Sequence, residues 1–463
     1  MSTSISRAGR SLWLPAVVIM TFFAPPAWAQ QAAGEAEGAG RLTRQQEDKP
    51  VHMCPGCLAP IFTQEGKGSI TPYGRIELDG IYSNRNTNPL DPAQFNGYAT
   101  AAGSNSNNTS TLNPRYSVFG IRADRTDGQH SLTGVVEADF YGDKDVASSI
   151  TPRLRLAYAR YTYEKMSLTV GQDWTAVMAL HPDLIDFSIM GYGGNLWQRI
   201  PQITVRYQFT ENLEGLLTVM RFERGLYAIS GQRQVRPQAT PKVAQGDAPP
   251  PNNSNDAFSD PIQHPYYGTR FAYSKDGMLL AVSAAYRYYR SAPAPGLSPS
   301  NSGGPGFGSG GFTSGRDINS YLVGGEVVIP LTAVLKFSGE LAYGQALGQE
   351  FFRFGQDLNL TTGKPIRTLM GWGQLSWAAS RKYTFLAGAG MDNPLDQDVR
   401  GSTANVDTQY KSNYRTYLTA IHPIWSDFYI GLEWQHLWTT WAVGTGSQHY
   451  QGDTYNIAFW YNF

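Results

Sequence analysis

Eight basic side chains (Arg75, Arg122, Arg153, Arg155, Arg206, Arg270, Arg287 and Lys336) and seven acidic ones (Glu77, Asp79, Glu137, Asp139, Glu326, Glu340 and Glu433) stand inside segments that alternate in polarity. In an extended chain successive side chains point to opposite sides, so charges at this spacing share one face. On a wet wall such groups do electrostatic rather than covalent work: they set a local field that sorts and orients solutes. Arg75, Arg122, Arg153 and Arg155 come from the first four segments. Asp173, Asp183, Asp186 and Arg199 fall in one connecting stretch, 173–199. A basic wall against an acidic loop would create a transverse field where the two meet.

Covalent chemistry has less support. Catalysis on a barrel needs a His beside a nucleophile or acid. Of the seven histidines (His52, His130, His181, His264, His422, His436 and His449), His130 and His422 lie at short turns, and His181 shares a loop with Asp183. No G-x-S-x-G occurs, and Gly311-Phe312-Thr313-Ser314-Gly315 has Thr at its centre. An enzyme is therefore not expected. Cys54-Pro55-Gly56-Cys57 reads as a small disulfide-closed loop in an oxidising compartment. A zinc site would need a second ligand pair and only His52 is near; a redox motif would need a helix after Cys57, and Leu58-Ala59-Pro60 opposes one. No metal and no cofactor is expected.

The elements that must position these charges follow from composition. The chain has 463 residues, with 27 Tyr, 21 Phe, 11 Trp and 49 Gly, two Cys and 16% charged residues, against about 25% in ordinary soluble domains. Mean hydropathy is nevertheless −0.34. Abundant aromatics exclude disorder, and two cysteines exclude a disulfide scaffold. No run of roughly 20 apolar residues follows residue 29, which excludes a helical membrane bundle. Arg7 and Arg10, the apolar run Leu12 to Ala24, and Ala27-Trp28-Ala29 form a secretory signal peptide, residues 1–29. The mature chain is nearly neutral, so no basic surplus points to nucleic acid.

Residues 30–68 read as a short periplasmic segment carrying the CxxC motif, and 69–463 as one domain. Sixteen strand-like segments fill that domain: 69–82, 111–124, 131–142, 153–163, 166–172, 200–209, 214–222, 265–274, 277–290, 316–329, 334–347, 364–379, 382–391, 411–422, 427–440 and 450–463. Seven short turns alternate with eight long connections, the last at 441–449. This is the layout of an all-β transmembrane antiparallel barrel of about sixteen strands, with short periplasmic turns and long external loops. A barrel this wide keeps an aqueous lumen, so its selectivity depends on what narrows it. The stretch 173–199 is the candidate: 12 of its 27 residues are large and apolar, against 7 of 42 in 223–264. An apolar loop is expected to fold inward as a constriction and pack on the wall, the rival position being a cap over the mouth or a subunit contact. In the last segment Tyr455, Ile457, Phe459, Tyr461 and Phe463 share one face, and Thr454, Asn456, Ala458, Trp460 and Asn462 the other. A terminal strand ending in Phe463 resembles the signal read by the bacterial barrel-assembly machinery.

The opening strands resemble those of the DcaP-like outer-membrane porins. The resemblance rests on Gly74-Arg75-Ile76-Glu77-Leu78-Asp79-Gly80-Ile81-Tyr82, Ser117-Val118-Phe119-Gly120-Ile121-Arg122-Ala123 and Glu137-Ala138-Asp139-Phe140-Tyr141-Gly142. It continues through Arg153-Leu154-Arg155-Leu156-Ala157-Tyr158, Gly171-Gln172-Asp173-Trp174-Thr175, Leu184-Ile185-Asp186-Phe187 and Arg199-Ile200-Pro201-Gln202-Ile203-Thr204-Val205-Arg206-Tyr207. The ordered set spans residues 70 to about 210. It implies a homotrimeric, sixteen-stranded passive pore in the outer membrane of a Gram-negative cell, admitting small hydrophilic solutes and favouring small anions such as dicarboxylates. Arg75, Arg122, Arg153, Arg155 and Arg206 are the arginines it carries over. The chain lacks the heptad-patterned N-terminal extension of some members and has the Cys54/Cys57 loop instead.

The long connections sum to a negative charge, with Asp392, Asp396, Asp398 and Asp407 against Arg400 in 392–410 alone. An acidic mouth would concentrate cations, opposing the arginines, or bind divalent ions together with lipopolysaccharide. The rival functional class is a receptor or adhesin built on the long loops. A plugged, TonB-gated receptor needs over a hundred residues before the barrel, and the mature chain has about forty there.

Overall fold

The computed structural model describes residues 61–62, 68–85, 87–88, 93–96, 108–141, 152–220, 264–291, 316–347, 351, 358–359, 363–399, 410–443 and 446–463. The leader, Cys54, Cys57 and Asp407 lie outside the described residues.

Alternating polarity builds a closed antiparallel barrel of sixteen strands. They are β1 (Gly68–Ser83), β2 (Thr109–Asn113, resuming as Val118–Asp127), β3 (His130–Asp139), β4 (Arg153–Tyr163), β5 (Met166–Trp174), β6 (Arg199–Gln208), β7 (Leu213–Met220) and β8 (Tyr266–Lys275). The ring continues through β9 (Met278–Ser291), β10 (Arg316–Pro330), β11 (Leu335–Gln345), β12 (Arg367–Ser380), β13 (Tyr383–Pro394), β14 (Tyr410–Trp425), β15 (Phe428–Val443) and β16 (Gly446–Asn462). β16 returns to β1 from Arg75↔Asn462 to Ser83↔Thr454, so the sheet has no lateral edge. Below the end of β16, Ile61 and Phe62 pair with Ile70 and Ser69 and cover the foot of β1.

The burial pattern is inverted relative to a soluble protein. Ile76, Ile121, Val136, Leu217, Val282 and Leu432 point outward, each more than half exposed, whereas the neighbouring Glu77, Asp79 and Glu137 are buried. Only an apolar solvent makes that arrangement favourable. Exposed Tyr161, Tyr163, Tyr207, Phe209, Tyr273, Trp377, Tyr383 and Trp425 ring the end with the short turns, and Tyr82, Tyr267, Tyr286, Tyr343, Tyr414, Trp438 and Tyr455 the other. Asp276 and Gly277 take positive φ (51° and 78°), the two-residue hairpin turn whose twist matches the strands.

One expected connection is absent. The β15–β16 ladder runs to Val443↔Gly446, so the anticipated long loop at 441–449 is a two-residue hairpin. This hairpin rises past the top of β1, where both faces can be polar, and the alternation that marks a strand in sequence fades.

Candidate functional site

The stretch between β5 and β6, residues 175–198, turns into the lumen. An irregular segment there must find acceptors for its peptide N–H groups. Met178 N–H donates to Ser283 Oγ (3.3 Å) of β9, Ala179 to Glu326 Oε2 (3.1 Å) of β10 and Leu180 to Glu340 Oε1 (3.0 Å) of β11. Asp183 N–H donates to Gln374 Oε1 (2.8 Å) of β12, and Ile185 to Glu433 Oε2 (3.1 Å) of β15. Apolar side chains fill the space between loop and wall: Val177, Met178 and Leu196 pack with Met220, Tyr266, Leu322 and Met370, and Met190 packs with Leu386 and Tyr417. The tip turns through positive φ at Ile189, Met190 and Tyr192 and then at Gly194, where a Cβ would stand 2.2 Å from Gly371 O.

The tip is locked by a buried ion pair. Arg415 of β14 reaches Asp186 and Gln435, and donates to Ser188 Oγ (3.0 Å) and Gly191 O (3.2 Å). Asp186 also accepts from Ser188 N (2.7 Å). From above, Phe95 of the β1–β2 connection wedges between Tyr192 (5.8 Å between ring centroids) and Trp441 (6.0 Å). Asn96 fixes that wedge: its N–H donates to Thr439 Oγ1, its Nδ2 to Leu437 O, and its carbonyl accepts from Trp441 Nε1. Phe95→Ala is expected to cost about 3–5 kcal/mol of local packing and to make conductance noisier. Single-channel recording checks this, and a current trace as quiet as the parent's would contradict it.

Opposite the anchored loop, on β1 to β4, lies a cluster of arginines. Two interruptions of the ladder build it. Four residues, Pro114 to Ser117, oppose three of β1, and Pro114 has no N–H to continue the sheet. The excess swings Arg115 and Tyr116 inward. In β4, Glu137↔Leu156 is followed by Ala138↔Leu154, so Arg155 is the extra residue of a bulge and Arg153, Arg155 and Tyr158 all reach the inner side. Arg153 grips Asp139 with two bonds (2.9 and 2.6 Å). Arg155 donates to Glu137 (2.5 Å) and Asp139 (3.1 Å), and Arg199 approaches Asp139 (3.6 Å). Arg75 pairs with Glu77 (3.1 Å). Tyr73 donates to Glu137 Oε2 (3.0 Å), its ring lying where a Cβ on Gly120 would be, 2.2 Å from Cζ. Aromatic faces cover the cations: Tyr116 and Trp460 lie near Arg75, Tyr141 near Arg115, and Trp174 and Trp197 near Arg199. Phe187 of the loop crosses to this wall, stacking on Tyr141 at 4.1 Å with Arg153 5.4 Å from its ring centre. The loop thus spans the lumen from anchored carboxylates to arginines.

No family model matches the sequence, and no curated protein does. Solved structures do. The outer membrane channel DcaP of Acinetobacter baumannii superposes with a TM-score of 0.62 at 14% identity, covering 88% of this chain and all of that one. This chain has the DcaP fold. Outer-membrane-expressed OmpT of Vibrio cholerae (TM-score 0.51, 11% identity) and Salmonella typhi OmpF in complex with daunomycin (TM-score 0.51, 12% identity) are similar over the same share of the chain and all of their own length.

In this DcaP-like barrel the sequence-derived charges all face inward, but they fall into three settings. Arg75, Glu77, Asp79, Glu137, Asp139, Arg153, Arg155 and Arg199 gather on the β1–β6 side, and the side chain of Arg153 keeps 32% of its surface open. Arg122 pairs with Asp124 (2.6 Å) and Arg206 with Glu214 (3.4 Å), nearer the short turns, and Arg160 reaches up to Asp173 (3.4 Å) at the foot of the loop. Arg270 grips Glu326 (2.8 and 3.0 Å) beneath the loop, and Arg287 lies buried against Tyr266 and Tyr289. The acids Glu326, Glu340 and Glu433 therefore hold the loop instead of facing open water. Asp186 is likewise buried, so the acidic side of the expected transverse field reduces to Asp183, itself 3.5 Å from Lys336.

At the described part of the mouth, the three carboxylates of 392–398 already have partners. Asp392 accepts from Thr368, Asp396 lies 3.5 Å from Lys411, and Arg367 grips Asp398 (2.8 Å), holding that carboxyl below the usual range.

Arg115, Arg160 and Arg415 were not in the sequence-derived set. Arg115 is signalled only by Pro114, and Arg160 comes inward because the Arg155 bulge shifts the alternation by one. Arg415 sits at a regular inward position of β14, and its partner on the loop is invisible in sequence.

Proposed function

We propose that this chain is an outer-membrane porin, a passive channel for small hydrophilic solutes that favours small anions such as dicarboxylates. Solutes would pass along the β1–β6 wall, beside the loop that fills the far side. One observation carries the reading: Arg75, Arg115, Arg153, Arg155 and Arg199 converge against four carboxyls, Glu77, Asp79, Glu137 and Asp139, where the loop crosses a closed barrel. Asp173 would line the pore at the foot of the loop, and Arg122, Asp124, Arg160, Arg206 and Glu214 would continue the lining toward the periplasm.

The same reading makes the protein a homotrimer, exported by its leader, in contact with outer-membrane lipid and lipopolysaccharide. The assembly machinery would take the C-terminal strand, whose Phe463 exchanges two backbone bonds with Gly74 (3.0 and 3.1 Å) as the ring closes. Purified protein in planar bilayers is expected to give stepwise conductance with a reversal potential on the anion side in a salt gradient. A preparation that is folded, yet forms no channels, sinks the porin reading.

A further inference from the structure

The constriction loop leaves β5 at Trp174 and re-enters the wall at Arg199 of β6, and these two residues stand opposite each other in the ladder. Thr175 N–H donates to Gln198 O (2.9 Å) and closes the neck. Around Trp174 the outbound and return arms of the loop meet. His181 of the outbound arm sets its ring 4.7 Å from that of Trp174, and Trp197 of the return arm lies 5.5 Å from it. The Arg199 guanidinium sits over both indoles, at 5.1 and 5.3 Å. Trp197 Nε1 donates to Ser188 O (3.0 Å), which carries the stack on to the tip. Either side of His181, the N–H groups of Leu180 and Asp183 are the ones held by Glu340 and Gln374.

His181 is the one histidine between residues 173 and 199. Its Nδ1 is buried and has no hydrogen-bond partner. A neutral ring can leave one nitrogen bare, whereas a charged ring has two N–H donors to satisfy. Burial above all, and then Arg199, oppose the charged form against one acceptor, Asn195, and hold the pKa of this loop residue at about 4. Arg199 is the charge that bears on the ring, itself 3.6 Å from Asp139. The other charges of the packed elements are engaged: Asp173 of β5 with Arg160, Asp183 with Lys336, and Glu340 of β11 with Leu180 N–H and Trp372 Nε1.

We propose that His181 is a proton-operated latch of the constriction loop: neutral, it ties the outbound arm to the neck, and charged, it releases that arm and widens the pore. A water-filled lumen takes the pH of the medium, so the latch reads external acidity. In the released arm the ring regains its ordinary value of 6.5, so as pH falls from there toward 4 the free arm takes up a proton that the docked arm refuses. Docking weakens by up to tenfold per pH unit across that window, about hundredfold in all, and levels off below it. The widening rests on the porin reading; the release does not.

The test is hydrogen exchange of the full-length protein at pH 7 and pH 4, corrected for the intrinsic chemical rate, beside conductance at the same two values. In the parent the amides of Leu180 and Asp183 are expected to lose about hundredfold in protection at pH 4, and conductance to rise. His181→Phe keeps a ring on Trp174 without a charge, and His181→Gln keeps a polar group that does not titrate. Both are expected to hold protection within about threefold between the two values and to conduct alike at each. Variants that lose protection at pH 4 as the parent does overturn the latch, because a carboxyl such as Glu340 then governs release. A parent whose protection is the same at both values overturns it too. A parent that exchanges as expected yet forms no channels sinks the porin reading and supports the latch.

Discussion

In the double variant Arg153→Ala, Arg155→Ala, anion preference is expected to disappear and reverse. Five arginines against four carboxyls become three against four, with Glu137 and Asp139 stripped of their closest cations. A unit charge about 7 Å from the path contributes about 2 kcal/mol at an effective dielectric of about 20. Even after salt screening, losing two should shift the anion-to-cation permeability ratio by about tenfold or more. Stability falls as well. Arg155 is buried, and removing one partner of a buried pair costs about 3–5 kcal/mol because the other charge stays behind. Heat-modifiable gel migration separates folded from unfolded protein before recording. Arg153→Gln alone, at the more open position, leaves four arginines against four carboxyls and should abolish the anion preference without reversing it, with less loss of stability. A folded double variant with the parent's reversal potential would show that these arginines do not set selectivity.

Arg415→Met should act on conductance instead. Arg415 is the only described cation ion-paired with Asp186, so its loss leaves a buried carboxylate and weakens docking of the loop tip by about 3 kcal/mol. Phe187, next in the chain, then leaves its stack on Tyr141. Conductance rises and fluctuates, while the arginine wall and its selectivity are unchanged. Adding Asp186→Leu removes the stranded charge and should quiet the channel again. If Arg415→Met conducts like the parent, the ion pair does not hold the constriction.

What the sequence made legible follows from the two solvents of the wall. A strand with one lipid face and one wet face must alternate, so Tyr455 to Phe463 reveals its own orientation, and sixteen such segments reveal a barrel. The inward loop was legible because twelve large apolar residues between 173 and 199 have no stable place in water. The Phe95 segment gave no such sign: it is held by polar bonds of Asn96 within a stretch of Asn, Ser, Thr and Gly. Bulges escaped because each adds one residue without changing composition, yet that residue decides whether Arg160 faces lipid or lumen. Ion-pair partners escaped because Arg415 and Asp186 are 229 residues apart. Inward charges could be counted from sequence, but whether each met water or a peptide N–H depended on where the loop lay.

The wall grips the constriction loop by its main chain: Ser283, Glu326, Glu340, Gln374 and Glu433 each take a peptide N–H and no side chain of residues 178, 179, 180, 183 or 185. Any residue with an N–H keeps these anchors, so proline alone among the natural amino acids forfeits them, although Met178, at φ 52°, further favours glycine or asparagine. From residue 178 to 185 the polar anchoring is thereby independent of side-chain identity, and the side-chain ion pair of Asp186 is confined to the tip. The loop is a cassette: an open position such as Asp183 can drift or be exchanged to admit a new cargo while the barrel beneath stays the same.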